Sequence, residues 1–470
     1  MFKKSLTILS IASAFYLQAQ DVSIIRNSVD VYSANPLTGS AKFNAMAGSM
    51  GALGGDLSAI NTNPASVGVF ITGNISGTLA VNNSKTTSSF SNAANSYKLN
   101  NADLGQLGGV AVFETSGNTP WKFVNFGVNY TNQNLEEYIE TPANSSYKFQ
   151  DSNLVDTNGN PVTGTFTSLG HAYDRTGNLT NMNIAFGGNY DNKFYVGGSL
   201  NFKGATIEQY DSSRLSLDVD NNNSYVLNKQ RTPYTEDSNG FSVSAGIIGK
   251  INNNIRLGAS IESPTWWTQY RTYSEVNEDN LVYYFDYYDE DRKFTSPMKA
   301  TLSGAFVMNK NFAFNVDYSL GLTKPKYKDP GPLPNGEESA EHQLNDFFNS
   351  NYKNLSELRV GGEYRYNNFR LRGGYGISNS PFEKRANFDD LYVGKRETLG
   401  VGFGFDFKSF YVDAAYNKIT TNSTNVYGDG YYYSLANNGD VEFFTNNPNT
   451  FTSKLEDVKN NVTLTLGWKF

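Results

Sequence analysis

The chain has 470 residues, 38 basic and 45 acidic, for a formal net charge of −7, and it contains no cysteine. The acidic balance argues against a nucleic-acid partner, which calls for a basic face. The lack of cysteine excludes disulfides, thiolate catalysis, Cys-ligated zinc and iron–sulfur clusters. With only two histidines, His171 and His342, a multi-imidazole metal site is not expected, and no cofactor is.

In chain order, residues 1–19 come first. Lys3 and Lys4 form a basic start, Leu6 to Leu17 an apolar run, and "LQAQD" a cleavage point after Ala19. The run is too short to cross a bilayer and reads as a secretory signal. No later stretch reaches the roughly 18 apolar residues of a transmembrane helix. Residues 20–73 follow. Their core, "GALGGDLSAINTNPASVGVF" from Gly51 to Phe70, has neither a helical stripe nor a strand alternation.

Period two takes over from Asn74 and holds to the end, which marks half-buried strands. Expected strands include Asn74–Asn83, Gly105–Glu114, Trp121–Glu140, Asn181–Tyr190, Phe194–Gln209 and Asn461–Phe470. Gly105–Glu114 is the least regular, because both of its faces are apolar. "SELRVGGEYRYNNFRLRGGYGI" is a hairpin with Leu358, Val360, Tyr364, Phe369, Leu371 and Tyr375 on one face. Arg359, Glu363, Arg365, Arg370 and Arg372 take the other. The count reaches about fourteen, and bacterial single-chain barrels use even numbers. Tight turns at Asp191-Asn192, Asn252 to Asn254, Asn309-Lys310, Asn367-Asn368 and Lys408-Ser409 alternate with long polar segments such as Thr141 to Thr180 and Tyr210 to Gly240.

Short turns at one end and long segments at the other are the pattern of an outer-membrane barrel. A soluble all-β fold could share the alternation. The signal, the loop lengths and the terminal Trp468 and Phe470 on the apolar face favour the membrane. The expected fold is therefore all-β: a transmembrane antiparallel β-barrel of about 14 strands over residues 74–470, with 20–73 as a plug (hatch) in the lumen. Such a barrel is wide enough to hold one. The expected location is the outer membrane of a Gram-negative bacterium, with both termini periplasmic. Expected partners are outer-membrane lipid and, through the strand ending at Phe470, the barrel-assembly machinery.

"AMAGSMGALGGDLSAINTNPASVGVF", Ala45 to Phe70, resembles the N-terminal hatch of the FadL-type outer-membrane transporters of long-chain fatty acids and other hydrophobic compounds. The matching features are the glycine run with Gly51, Gly54 and Gly55, then Asp56, then Asn63-Pro64-Ala65. Ser66-Val67 depart from the family, which usually has Gly and Leu there. "SPMKATLSGAFVMNKNFAFNVDYSL" is similar to the family's C-terminal hairpins. The resemblance implies passive uptake of a hydrophobic small molecule. The ligand would enter an outward groove, pass an internal pocket, and leave laterally through the wall near the third strand after hatch movement. An acyl chain gains roughly 0.8 kcal/mol per buried CH₂ in such a pocket.

Phe43, Met46, Met50 and Leu53 are candidate ligand contacts, though their composition favours plug core. Trp266-Trp267 read as interface girdle or as the rim of a capture groove. No G-x-S-x-G elbow is present, and an enzyme is not expected. Two alternatives remain: a haemin receptor, for which His171 and His342 are the only imidazoles, and a FadL-like barrel that serves a protein-secretion system.

Overall fold

A computed structural model describes residues 20–470 apart from 36, 156–160, 220–222, 231–233, 280–281, 310, 335, 384–392, 436–440 and 448–449. The expected signal, 1–19, lies outside the described residues, as does Lys310.

Fourteen antiparallel strands close into a barrel. They are β1 (Asn74–Phe90), β2 (Ala93–Glu114), β3 (Trp121–Asn134), β4 (Pro161–Tyr190), β5 (Phe194–Val219) and β6 (Tyr234–Lys250). Two strands come in pieces: β7 (Ile255–Glu262 and Trp266–Asp279) and β8 (Val282–Thr295 and Lys299–Met308). Their breaks hold Pro264 and Pro297, which have no N–H to give the ladder. The rest are β9 (Phe312–Gly321), β10 (Ser356–Tyr366), β11 (Phe369–Ser378), β12 (Arg396–Asp406), β13 (Phe410–Tyr427) and β14 (Phe451–Lys469). β1 and β14 close the ring in unbroken register from Asn74↔Lys469 to Ser89↔Lys454.

The alternation explains the wall. Val462, Leu464, Leu466 and Trp468 are exposed, whereas Thr463 and Thr465 between them are buried. Leu358, Tyr364, Phe369, Leu371 and Tyr375 are likewise exposed around the barrel, and Arg359, Glu363 and Arg372 are buried. An apolar belt of this extent is a lipid-facing surface. The tight turns fall where expected. Asp191, Asn192, Asn309, Asn367 and Lys408 take positive φ of 50–78°, as hairpin turns of this kind require. Asn74 and Lys469 share that end of the barrel.

Two features differ from the sequence reading. First, the long segments are largely strand. β4 starts at Pro161 and pairs with β5 from Gly164↔Val219 down to Tyr190↔Phe194. His171 thus sits on β4. Above the lipid belt no greasy face is needed, so the alternation that betrays a strand disappears while the backbone ladder continues. Second, residues 20–73 do not begin beside the turns. Helix α1 (Gln20–Asp30) lies at the long-strand end. There Ile24, Ile25 and Val29 are buried in one cluster with Trp267, Phe294 and Tyr327, and with Leu344 and Phe348 of a later helix. From α1 the chain descends through helix α2 (Ala41–Ala45) and two 3₁₀ turns, Leu57–Asn61 and Pro64–Val69. It ends at Gly73, whose carbonyl accepts a hydrogen bond from Phe470 N at 3.1 Å. The later helix, α3 (Ala340–Asn351), covers the long-strand end.

Candidate functional site

Residues 37–70 fold tightly because side chains cap each short turn. Ser40 caps α2 by accepting from Phe43 N. Asp56 Oδ1 accepts from Ser58 N at 2.9 Å, and its Oδ2 accepts from Ser40 Oγ at 2.7 Å. Asn63 Oδ1 accepts from Ala65 N at 3.0 Å and caps the last turn, with Pro64 at its first position. Gly54 and Gly55 hold φ of +61° and +67°, a conformation open to glycine at little cost.

The wall then clamps this segment from all sides. Asn63 Nδ2 donates to Gly51 O at 2.9 Å and to Ile247 O of β6 at 3.1 Å. The Asp317 carboxylate on β9 accepts from Met50 N at 2.9 Å and from Gly51 N at 3.1 Å. Asn315 Oδ1 accepts from Ala52 N at 3.2 Å. Asn125 of β3 donates to Val67 O and Phe70 O at 2.7 and 2.8 Å. Asn417 of β13 donates to Asn44 O at 2.6 Å, and Thr465 of β14 accepts from Ala41 N at 2.7 Å. Backbone polar groups of an irregular segment are thereby paired although water is excluded, which burial demands.

Contact is closest at wall glycines. A Cβ on Gly246 would lie 2.0 Å from Asn63 Oδ1, and one on Gly374 would lie 2.3 Å from the Met46 carbonyl carbon. Gly51 faces the same limit from the other side, since a Cβ there would sit 2.2 Å from Ser303 Oγ. Ser66-Val67 still fit. Val67 packs with Leu57, Ile60, Val110 and Ala185. Val110 is an inward residue of β2, so the doubly apolar strand has lipid on one side and this segment on the other.

Of the candidate ligand contacts, Met46 and Met50 are fully buried and form one cluster with Phe43 and Ala59, against which Leu53 packs. Phe43 also lines a cavity. That cavity, about 110 Å³, is bounded by Tyr32, Phe43, Ile60, Trp267, Lys203 and Lys299 among others. Trp267 is buried and meets Tyr32 edge-on at 4.9 Å, whereas Trp266 faces outward. The lumen charges pair. Arg372 reaches Glu363 and Asp413, each at 2.6 Å, and Arg370 lies 3.5 Å from Asp406.

A larger cavity of about 180 Å³ lies between α1 and the wall, and Arg359 borders both. It is bounded by Arg26, Asp30, Arg175, Asn101, Gln133 and Glu136 among others, and it meets the wall where β2 and β3 part. β2 and β3 are paired from Gln106↔Thr131 to Glu114↔Phe123. Above that point β2 stays with β1, and β3 stays with β4. Among the described residues β2 is then joined by side chains to the stretch just past β3, which includes a short strand, Glu137–Thr141. Asn101 Nδ2 donates to Glu136 Oε2 at 2.9 Å, and the Tyr97 and Tyr138 rings lie 4.3 Å apart. α1 is anchored beside this parting. Arg26 reaches Glu137 at 2.5 Å, and buried Arg175 spans Asp30 at 2.8 Å and Glu137 at 3.2 Å. Burial works to raise the Asp30 carboxyl, but Arg175, Lys459 and Arg26 hold it down at about 2.

Asp317, Asn315 and Arg175 were not singled out by the sequence. The one available signal for the first two was their place on the polar face of "NFAFNVDYSL".

The molecule is an outer-membrane-type β-barrel whose lumen is filled from the N-terminal side of the chain. Its fold is that of the FadL-type transporters. A Pseudomonas aeruginosa FadL homologue superposes with a TM-score of 0.54 at 11% identity, over 93% of this chain and 99% of the other. The Pseudomonas putida toluene transporter TodX gives 0.53 at 14%, over 94% and 100%. The CymD monoaromatic hydrocarbon channel gives 0.51 at 11%, over 93% and 98%. At these identities the likeness is one of fold. The sequence matches no protein-family profile and no curated protein.

Proposed function

We propose that this protein admits hydrophobic small molecules, long-chain fatty acids among them, across the outer membrane without an energy source of its own. Residues 20–73 act as the hatch, and the ligand leaves sideways where β2 and β3 part. The cavity of about 180 Å³ that runs from α1 to that parting is the observation that carries the reading. Arg359, between the two cavities, suits the carboxylate of an amphiphile, because guanidinium binds carboxylate well. In this reading the turn end faces the periplasm and Phe470 presents the last strand to the assembly machinery. The haemin reading gains nothing from the geometry, since neither His171 nor His342 is among the groups lining either cavity.

The cysteine-free chain allows a direct test. A Cβ on Gly376 of β11 would stand 3.9 Å from Ala47 Cβ, close to the usual disulfide spacing of about 3.8 Å. The double variant Ala47→Cys with Gly376→Cys should take up labelled oleate when reduced and lose uptake when oxidised. Equal uptake in both states would rule out hatch movement. Wild-type protein that takes up neither oleate nor toluene would rule out the transport reading itself.

A further inference from the structure

We propose that Glu338, His342 and Asp346, at the outer face of α3, form a binding site for a divalent transition-metal ion of the zinc class. The three side chains offer ligand atoms that all lie within 4.8 Å of one another. His342 Nε2 stands 3.8 Å from Glu338 Oε1 and 3.7 Å from Asp346 Oδ2. Those separations are too long for hydrogen bonds. They do suit two pairs of ligands around one ion, since zinc bonds to nitrogen and oxygen are each about 2.0–2.2 Å. A spacing of four residues keeps His342 and Asp346 on one side of α3, and Glu338 just precedes the capping residue Ser339.

The imidazole is aimed from behind by a group outside the trio. His342 Nδ1 lies 2.7 Å from Asp329 Oδ2. The other oxygen of Asp329 is fixed by Gly331 N at 2.8 Å and Ser339 Oγ at 2.9 Å. A carboxylate on one ring nitrogen holds the proton there and leaves the lone pair of the other for a metal, an arrangement common behind metal-bound histidines. One imidazole with two carboxylates suits zinc, manganese or cobalt better than calcium or magnesium, which prefer oxygen throughout. Three protein ligands leave room for water on the ion. The opposite side of α3 buries Leu344 and Phe348 in the cluster that holds α1. A bound ion would therefore tie the covering helix to the 329–339 segment without disturbing that core.

The test uses the full chain in detergent, stripped by chelator, titrated calorimetrically with zinc chloride and, separately, with calcium and magnesium chloride. One saturable zinc site is expected. His342→Ala should weaken it by roughly tenfold or more, and so should the double variant Glu338→Gln with Asp346→Asn, which keeps side-chain size. His171→Gln should leave it unchanged. With only two histidines in the chain, nitrogen-15 imidazole spectra read the site directly, and the His342 Nε2 signal should move on zinc addition. Absence of saturable zinc binding would overturn the proposal and leave a plain imidazolium between carboxylates. So would binding that survives His342→Ala, or calcium bound as tightly as zinc.

Discussion

Asn63→Ala removes the clamp at the centre of the internal segment while leaving every barrel ladder in place. The side chain donates to Gly51 O and Ile247 O and accepts from Ala65 N. All three partners lose a bond in a dry site. At about 0.5–1.5 kcal/mol for each bond, the attached state should weaken by about 2–4 kcal/mol. With tenfold in population for every ~1.4 kcal/mol, the detached state should rise roughly 30- to 1,000-fold. The barrel itself should survive, because the β1–β14 closure and its neighbours do not involve Asn63. The assay is ion conductance in planar bilayers, with heat-modifiable migration on gels as the check on barrel integrity. A higher open probability with unchanged migration is expected. Unaltered conductance from a correctly folded variant would refute the reasoning, and so would a variant whose barrel fails to form.

Three further outcomes follow from the same geometry. Gly246→Ala places a methyl 2.0 Å from Asn63 Oδ1 and should raise conductance like Asn63→Ala. The double variant should add little, because both changes break one contact. Arg175→Met takes the ion pair from Asp30, whose side chain is 37% exposed, and should weaken the α1 anchorage by about 1–3 kcal/mol. Hydrogen exchange over residues 20–30 should then quicken while the barrel ladder stays protected, and unchanged exchange would count against the anchor. His171 lies beyond the lipid belt, buried against Tyr427 with Nε2 2.9 Å from Asp211 Oδ1. Burial pushes its pKa down, only partly countered by Asp211, and Lys229 and Arg26 push the same way as burial. A histidine with a lowered folded pKa binds fewer protons folded than unfolded, so its contribution is intact above the unfolded value of about 6.5 and falls as pH drops through the folded one. Acid should therefore loosen the outer strands of β4 and β5 first, read by hydrogen exchange, and His171→Gln should flatten that dependence.

The barrel was legible because lipid writes a period of two into each strand that crosses it. Val462, Leu464 and Leu466 could be set on one face and Thr463 and Thr465 on the other from their order alone, and the loop lengths and terminal aromatics turned the apolar face outward. Where lipid stops, so does the signal, and the upper half of β4, including His171, read as loop although it is paired with β5 with a single shift of register between Ser168 and Gly170. The internal segment was visible as a segment but not as a path. Its capping residues, Asp56 and Asn63, stand out locally, whereas the groups that grip it, Asp317, Asn315 and Asn417, are single polar residues on strands far away in sequence. Nothing local distinguishes a lumen Asp that clamps a backbone from one that meets water. Val110 shows the exception. A barrel strand that is apolar on both faces needs two apolar neighbours, and only one can be lipid. On β2 that second neighbour is the Leu57–Val67 stretch. The irregularity of that strand was thus the mark of the internal segment on the wall. The same argument locates a filled lumen in any barrel where an inward face turns greasy: a water-filled lumen gives no reason for an inward Val110, and a packed one does.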